Sequence, residues 1–308
     1  MTFLDTHALV VWRLLDGKPG HESQTRGLAA ALARRCETQG LPPPRVLDLP
    51  VAHLRLSLLD WLFRHFPPGF LQPRPDLLIG AGHRTHWPLL CARRAFGGRA
   101  VALMTPSLPK RWFDVVVAPR HDEVSGPNVI DTVGVLNPMR PAATKRPGYT
   151  MVLVGGESRH FRWHSDDVIS QIEAILARHP QVCITDSRRT PTALRAELAR
   201  RWPVIYQPWD QCAPGWLAAE LATADNAWVS EDSVSMVYEA LTAGCAVGLI
   251  SLPAASEGRL ARGIAALVRE RVVRRLGSLG PGETLEPSRP LLDEARRVAD
   301  LLLPDVVA

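Results

Sequence analysis

"VVWRLLDGKPGHESQTRGLAAALARR", residues 10 to 35, joins an apolar run to a segment of helical period through a turn built from glycine, lysine and proline. A short apolar run bounded by Gly and Pro reads as a buried strand, and the longer segment after it as a helix. The step recurs along the chain. "PRVLDLP" is the next strand, and "PDLLIGAG" then leads into a helix from "THWPLLCARRAF". "RAVALMTP", "FDVVVAPRHD" and "NVIDTVGVL" follow as further strands. Strands alternating with helices predict a parallel sheet covered by helices on both faces.

The proline-rich, basic stretch "NPMRPAATKRPGY" (137–149) interrupts the pattern, which restarts at "TMVLVGG" and runs through four more strands and their helices. With 308 residues the chain is roughly twice the usual domain size. The expectation is therefore α/β, with two doubly wound Rossmann-like domains facing across a cleft. The first spans 1–140 and the second 150–285, with a linker at 141–149. A terminal helix within 286–308 is free to pack back on the first domain.

Composition narrows the function. Apolar residues make up 46% and charged residues 22%, as in a globular protein with a full core. No apolar run reaches the roughly 18 residues of a membrane span, and no secretion signal is visible, so a cytoplasmic protein is expected. Five scattered cysteines argue against a disulfide framework and against a zinc knuckle. A net charge of +5 suits an anionic ligand or an anionic membrane surface. The densest basic segments, "ARRAFGGR" and "RERVVRRLG", read as solvated helix ends, so no nucleic-acid partner is expected.

In open α/β sheets ligands bind at the carboxyl ends of the strands, so the strand-to-helix turns carry the candidates. In the first turn Gly17 and Gly20 permit a tight backbone, and the helix start offers free N–H groups to an anion. Lys18, His21 and Gln24 line that turn or are plain surface residues; a helix start favours the neutral imidazole, which can accept a proton. At "IGAGHRTHWP" Gly82, His83 and Thr85 suit contact with a substrate; the paired histidines lack a third metal ligand nearby. Thr105, Ser107 and Asp122 follow two further strands. In the second half the candidates are Gly155 and Gly156, then Ser187 with Arg188, whose guanidinium suits a diphosphate, then Ser233 and Ser235 at a helix start. Glu231 and Asp232 beside them read equally well as capping residues. Glu239, further along that helix, either takes both hydroxyls of a ribose or faces water; spacing does not decide.

"DGKPGHESQTRGLAAAL", "DLLIGAGHRTHWPLLCARR" and "VSEDSVSMVYEALTAG" together resemble the ELM1-like (mitochondrial fission ELM1) family over most of the chain. More distantly the arrangement is similar to the GT-B glycosyltransferases, the class of the lipid II-forming N-acetylglucosaminyltransferase. That resemblance implies an acceptor over Gly20–His21. It also implies a nucleotide diphosphate and ribose held between Ser233 and Glu239, before Ala243–Gly244. The sequence departs from that class in Lys18–Pro19 and Glu231–Asp232, and plant members of the ELM1 family are adaptors in organelle division.

The resemblance implies a metal-independent transferase using a nucleotide-sugar donor, with no cofactor. Lys18 or Arg188 and helix N-termini would neutralise the leaving diphosphate, and His21, or Asp122 across the cleft, would act as general base. "LRLSLLDWLFRHFPPGF" (54–70) reads either as a core helix or as an amphipathic stretch. The latter would lie on an anionic membrane surface beside a lipid-linked or envelope glycan, making the enzyme peripheral on the inner membrane. An epimerase or hydrolase on the same scaffold, and a non-catalytic adaptor, are the alternatives.

Overall fold

The structure, a computed structural model, describes residues 8–67, 73–256 and 258–304. It holds two compact units, Met1–Pro138 with Asp293–Ala308, and Met139–Leu292.

Unit 1 begins with β1 (Val10–Leu15), α1 (Pro19–Thr38), β2 (Arg45–Pro50) and the single-turn α2 (Leu58–Leu62). It continues with β3 (Leu77–Ala81), α3 (His83–Phe96), β4 (Arg99–Leu103), β5 (Val115–Pro119) and β6 (Val129–Thr132). The strands are parallel, in the order β2-β1-β3-β4-β5-β6. Successive residues of β1 enter opposite cores. Val11 meets Leu28 and Leu32 of α1, whereas Val10, Trp12 and Leu14 join Leu89 and Leu90 of α3. Burial on both faces explains why the strands read as unbroken apolar runs rather than as alternation.

Unit 2 comprises β7 (Arg146–Leu153), α4 (Ser165–Leu176), β8 (Gln181–Thr185), α5 (Thr192–Arg201), β9 (Tyr206–Gln207) and α6 (Trp216–Thr223). After these come β10 (Ala224–Ser230), α7 (Val234–Thr242), β11 (Ala246–Ile250), α8 (Arg259–Arg269) and β12 (Arg274–Arg275). All six strands are again parallel, in the order β12-β11-β10-β7-β8-β9. The closing helix, α9 (Glu294–Leu302), belongs to unit 1. Its Val298 and Leu302 enter the core under α1, and Arg35 pairs with Asp300 at 2.9 Å.

Two segments differ from the sequence reading. The expected linker at 141–149 overlaps β7, whose Arg146 already pairs with Ala224 of β10. Part of "RERVVRRLG" is the edge strand β12, not a helix end; it places Arg275 beside β11. Among the described residues no helix is long and apolar enough to cross a membrane.

Each sheet reverses its strand order once, between β1 and β3 in unit 1 and between β7 and β10 in unit 2. At such a switch point the connections leave toward opposite faces and open a crevice at the strand ends.

Candidate functional site

In unit 1 the switch point is occupied by His21, in the first turn of α1. Its Nδ1 lies 2.8 Å from Oδ2 of Asp16, the residue that follows β1 and whose side chain is fully buried. The second oxygen, Oδ1, accepts the backbone N–H of Lys18 at 3.1 Å, which fixes the carboxylate's orientation. A carboxylate only accepts, so in the neutral imidazole the hydrogen sits on Nδ1 and Nε2 carries the lone pair. Nε2 has no partner among the described residues.

Gly82, the residue before α3, makes this pairing possible. A Cβ there would stand 2.3 Å from the His21 ring and 3.2 Å from Asp16 Oδ2, and its φ is +83°. Only glycine combines that backbone with that approach. Gly17 and Gly20 have open space where a Cβ would project, and Lys18 is exposed at the start of α1 with no side-chain cap. His83 is exposed at the first position of α3. Gln24 is buried, its amide nitrogen 3.5 Å from the Gly20 carbonyl.

Two acceptor-side and catalytic expectations are corrected here. Thr85 is fully buried and its hydroxyl donates to the Gly82 carbonyl at 2.8 Å, so it shapes the turn and is closed to a ligand. Asp122 lies in the same unit as His21, not opposite it. It stands three strands along the sheet from β1, about 14 Å at ordinary strand spacing. Its Oδ2 accepts from Thr105 at 2.7 Å. His86, behind the turn, is buried, and burial with the neighbouring His83 and His21 lowers its pKa to about 4. Its Nδ1 accepts the Ser107 N–H at 3.2 Å, so it is a neutral packing residue.

In unit 2 the switch point is closed by an internal network. Gly155 N–H donates to Ser230 Oγ at 2.7 Å and Gly156 N–H to Asp232 Oδ2 at 3.0 Å. A Cβ on Gly155 would stand 2.2 Å from Ser233 Oγ, and one on Gly156 2.0 Å from the Arg189 carbonyl oxygen. Both glycines therefore serve close packing, and their amides are not open to a donor phosphate, contrary to expectation. Ser233 is also engaged. It donates to Asp232 at 3.1 Å and accepts from Arg189 at 2.9 Å. Ser187 accepts the Arg189 N–H at 3.2 Å within its own turn.

The acidic pair Glu231 and Asp232 is structural, each buried against an arginine: Arg275 at 2.7 Å and Arg189 at 2.7 Å. What remains open is the start of α7 and the face below it. No side chain caps that helix, Ser235 is exposed in its first turn, and Glu239 follows one turn later on the same side. Glu239 makes no hydrogen bond or ion pair among the described residues, and desolvation pushes its carboxyl up to about 7. Arg188 is exposed with its guanidinium 6.0 Å from the Trp209 ring, and it has no ion pair among the described residues.

Sequence reasoning missed Asp16 and Arg189. Asp16 stood in the quoted turn, five residues before His21, a spacing that a strand-to-helix corner folds into contact. Among the described residues no three His, Cys, Asp or Glu side chains gather to hold a metal ion.

The model of the mitochondrial fission ELM1 family matches residues 19–305, from the start of α1 to beyond α9. The chain belongs to the mitochondrial fission ELM1 family. An uncharacterized protein of Rickettsia prowazekii (strain Madrid E), RP120, is 24% identical over 352 aligned positions, covering 95% of this chain and 97% of the relative. Among solved structures, a Listeria monocytogenes protein assigned as a UDP-N-acetylglucosamine 2-epimerase superposes with a TM-score of 0.53. It is 10% identical, and the match covers 97% of this family member and 88% of that chain. MurG of Acinetobacter baumannii matches at a TM-score of 0.45 and 15% identity, over 97% and 92% of the two chains. The likeness is one of fold: two Rossmann-like α/β units in series, the GT-B type.

Proposed function

We propose that this ELM1 family member is a metal-independent glycosyltransferase. It takes a nucleotide-sugar donor and acts in the cytoplasm on a lipid-linked or envelope glycan at the inner membrane surface. The observation that carries this reading is the His21–Asp16 pair, in which a fully buried carboxylate fixes the tautomer of a histidine whose Nε2 has no partner among the described residues. An adaptor surface does not call for such an arrangement, which is the one that orients a histidine as a general base.

In this reading the acceptor hydroxyl sits at His21 Nε2, above Gly17 and Gly20 and beside His83. As the hydroxyl oxygen attacks the anomeric carbon its proton passes to Nε2, and Asp16 stabilises the imidazolium that forms. Asp122, engaged with Thr105, is not needed as base. The donor lies on unit 2, its ribose hydroxyls on Glu239 and its diphosphate on the uncapped amides of α7, with Ser235 and Arg188. Negative charge on the leaving diphosphate is met by those amides and Arg188, which is preorganised electrostatic stabilisation.

The test is thermal unfolding against UDP, GDP, CMP, ADP and TDP, each with and without EDTA. A nucleotide at about 100 times its Kd adds roughly 2.7 kcal/mol of stability. The expected result is a rise with one base, unchanged by EDTA and lost in Glu239→Ala. No rise with any nucleotide would remove the donor reading.

A further inference from the structure

The stretch around α2 has a second feature that catalysis does not use. α2 buries none of its residues, so it is not the core helix that its apolar composition allowed. Leu58, Leu59, Leu62 and Phe63 are 68%, 62%, 53% and 75% exposed, all on one turn of chain. The turn is held firmly from below. Ser57 and Asp60 form a reciprocal capping box, and Trp87 Nε1 donates to the Leu56 carbonyl at 2.9 Å. The apolar tips are thus presented on a fixed support rather than on a loose loop.

Beside them runs a groove of about 800 Å³ in which Trp61, Trp87 and Trp112 are met by Arg93, Arg94 and Arg111. That volume lies within the range of ligand pockets. Arg94 lies over the Trp61 ring at 5.4 Å, and its Nε is buried with no hydrogen-bond partner among the described residues. Arg111 is exposed and, like Arg55 and Arg64 flanking the turn, has no ion pair among the described residues. The nearby carboxylates are already engaged: Asp60 with Ser57 and His65, and Asp114 with Arg93 at 2.6 Å. The surface is therefore apolar at its tip and cationic around its rim.

From this geometry we infer that the α2 turn and the tryptophan groove dock the protein on an anionic lipid bilayer, with one lipid chain in the groove and its phosphate at Arg94 and Arg111. Charge decides the occupant. Unpaired guanidinium groups around an apolar wedge match the headgroup layer over its hydrocarbon, where tryptophan's apolar ring and polar N–H are both accommodated. The inference rests on the lipid-linked acceptor reading for its purpose, since such an acceptor is reached only at the membrane.

The experiment is flotation of the full chain with vesicles of phosphatidylcholine alone and of phosphatidylcholine mixed with phosphatidylglycerol. Partition should be about tenfold or more stronger on the mixed vesicles and should weaken with salt. Leu59→Asp with Phe63→Asp should abolish it without lowering Tm, because both side chains are exposed. Arg94→Ser with Arg111→Ser should remove the preference for the anionic lipid. Vesicles with brominated chains should quench tryptophan emission, and the Asp variant should escape quenching. Absence of binding to either vesicle overturns the inference, as does binding indifferent to Leu59 and Phe63. A concentration-dependent dimer lost in the Asp variant, without vesicle binding, would overturn it too and give the face to a second copy. Nucleotide-induced stabilisation should persist in every variant, so the donor reading and the docking reading fail separately.

Discussion

Replacing Glu239 with glutamine probes the open face of α7 through its charge. The carboxyl is raised from 4.5 to about 7 by desolvation. Ionising it in the folded protein therefore costs up to about 3 kcal/mol more than in the unfolded chain. Because the side chain is only half-buried, water screens part of this, and about 1–2 kcal/mol is expected. The folded-state pKa is raised, so the contribution is fully present below pH 4.5 and lost as pH rises through about 7. Glu239→Gln, neutral at every pH, should match the parent near pH 4.5 and exceed it at pH 8 by about 2–6 °C in Tm. The assay is paired thermal unfolding across that range, with the difference between the two proteins as the readout. A difference that does not change with pH would refute the reasoning. A carboxylate that accepts from ribose hydroxyls must be ionised, so nucleotide affinity should also weaken below pH 7, and the glutamine variant should lose that dependence.

Asp16→Asn should keep the fold and the nucleotide-induced rise in Tm while lowering turnover by about 10²–10⁴, because the amide no longer selects the tautomer with a free Nε2. Steady-state kinetics would show this as a fall in kcat with little change in donor KM. Gly82→Ala combines a φ of +83° with a Cβ 2.3 Å from the His21 ring, and should cost about 2–4 kcal/mol by chemical denaturation. Gly17→Ala, at a similar φ of +81° but with nothing within 4 Å, should cost only about 1–2 kcal/mol. Gly155→Ala presses on Ser233 and the buried Asp232, and should lower the stability of unit 2 by about 2–4 kcal/mol.

The alternation of strands and helices was legible because both faces of each sheet are buried, which turns strands such as Leu77–Ala81 into short unbroken apolar runs. Helix ends and edges were harder. β12 is two arginines long and pairs by backbone alone, so its side chains carry no strand signal. β7 begins at Arg146 inside a basic, proline-rich stretch, whose composition masks the strand. Within the site, position along a turn does not tell which of two neighbours faces inward. Arg189 enters the network with Asp232, while the adjacent Arg188 makes no ion pair among the described residues. Thr85 shares a turn with His83 but folds under Gly82. Glycine was read as room for a ligand, whereas at Gly82 and Gly155 it is room for His21 and Ser233.

The most direct test of the central claim is release of nucleoside diphosphate from nucleotide-sugars matching whichever base stabilises the protein. It would be quantified with and without a lipid extract of cell envelope as acceptor. The account predicts release that depends on the extract, persists in EDTA and falls by about 10²–10⁴ in His21→Ala. Consumption of donor without any acceptor, or no consumption at all by a protein that binds the nucleotide, would contradict it.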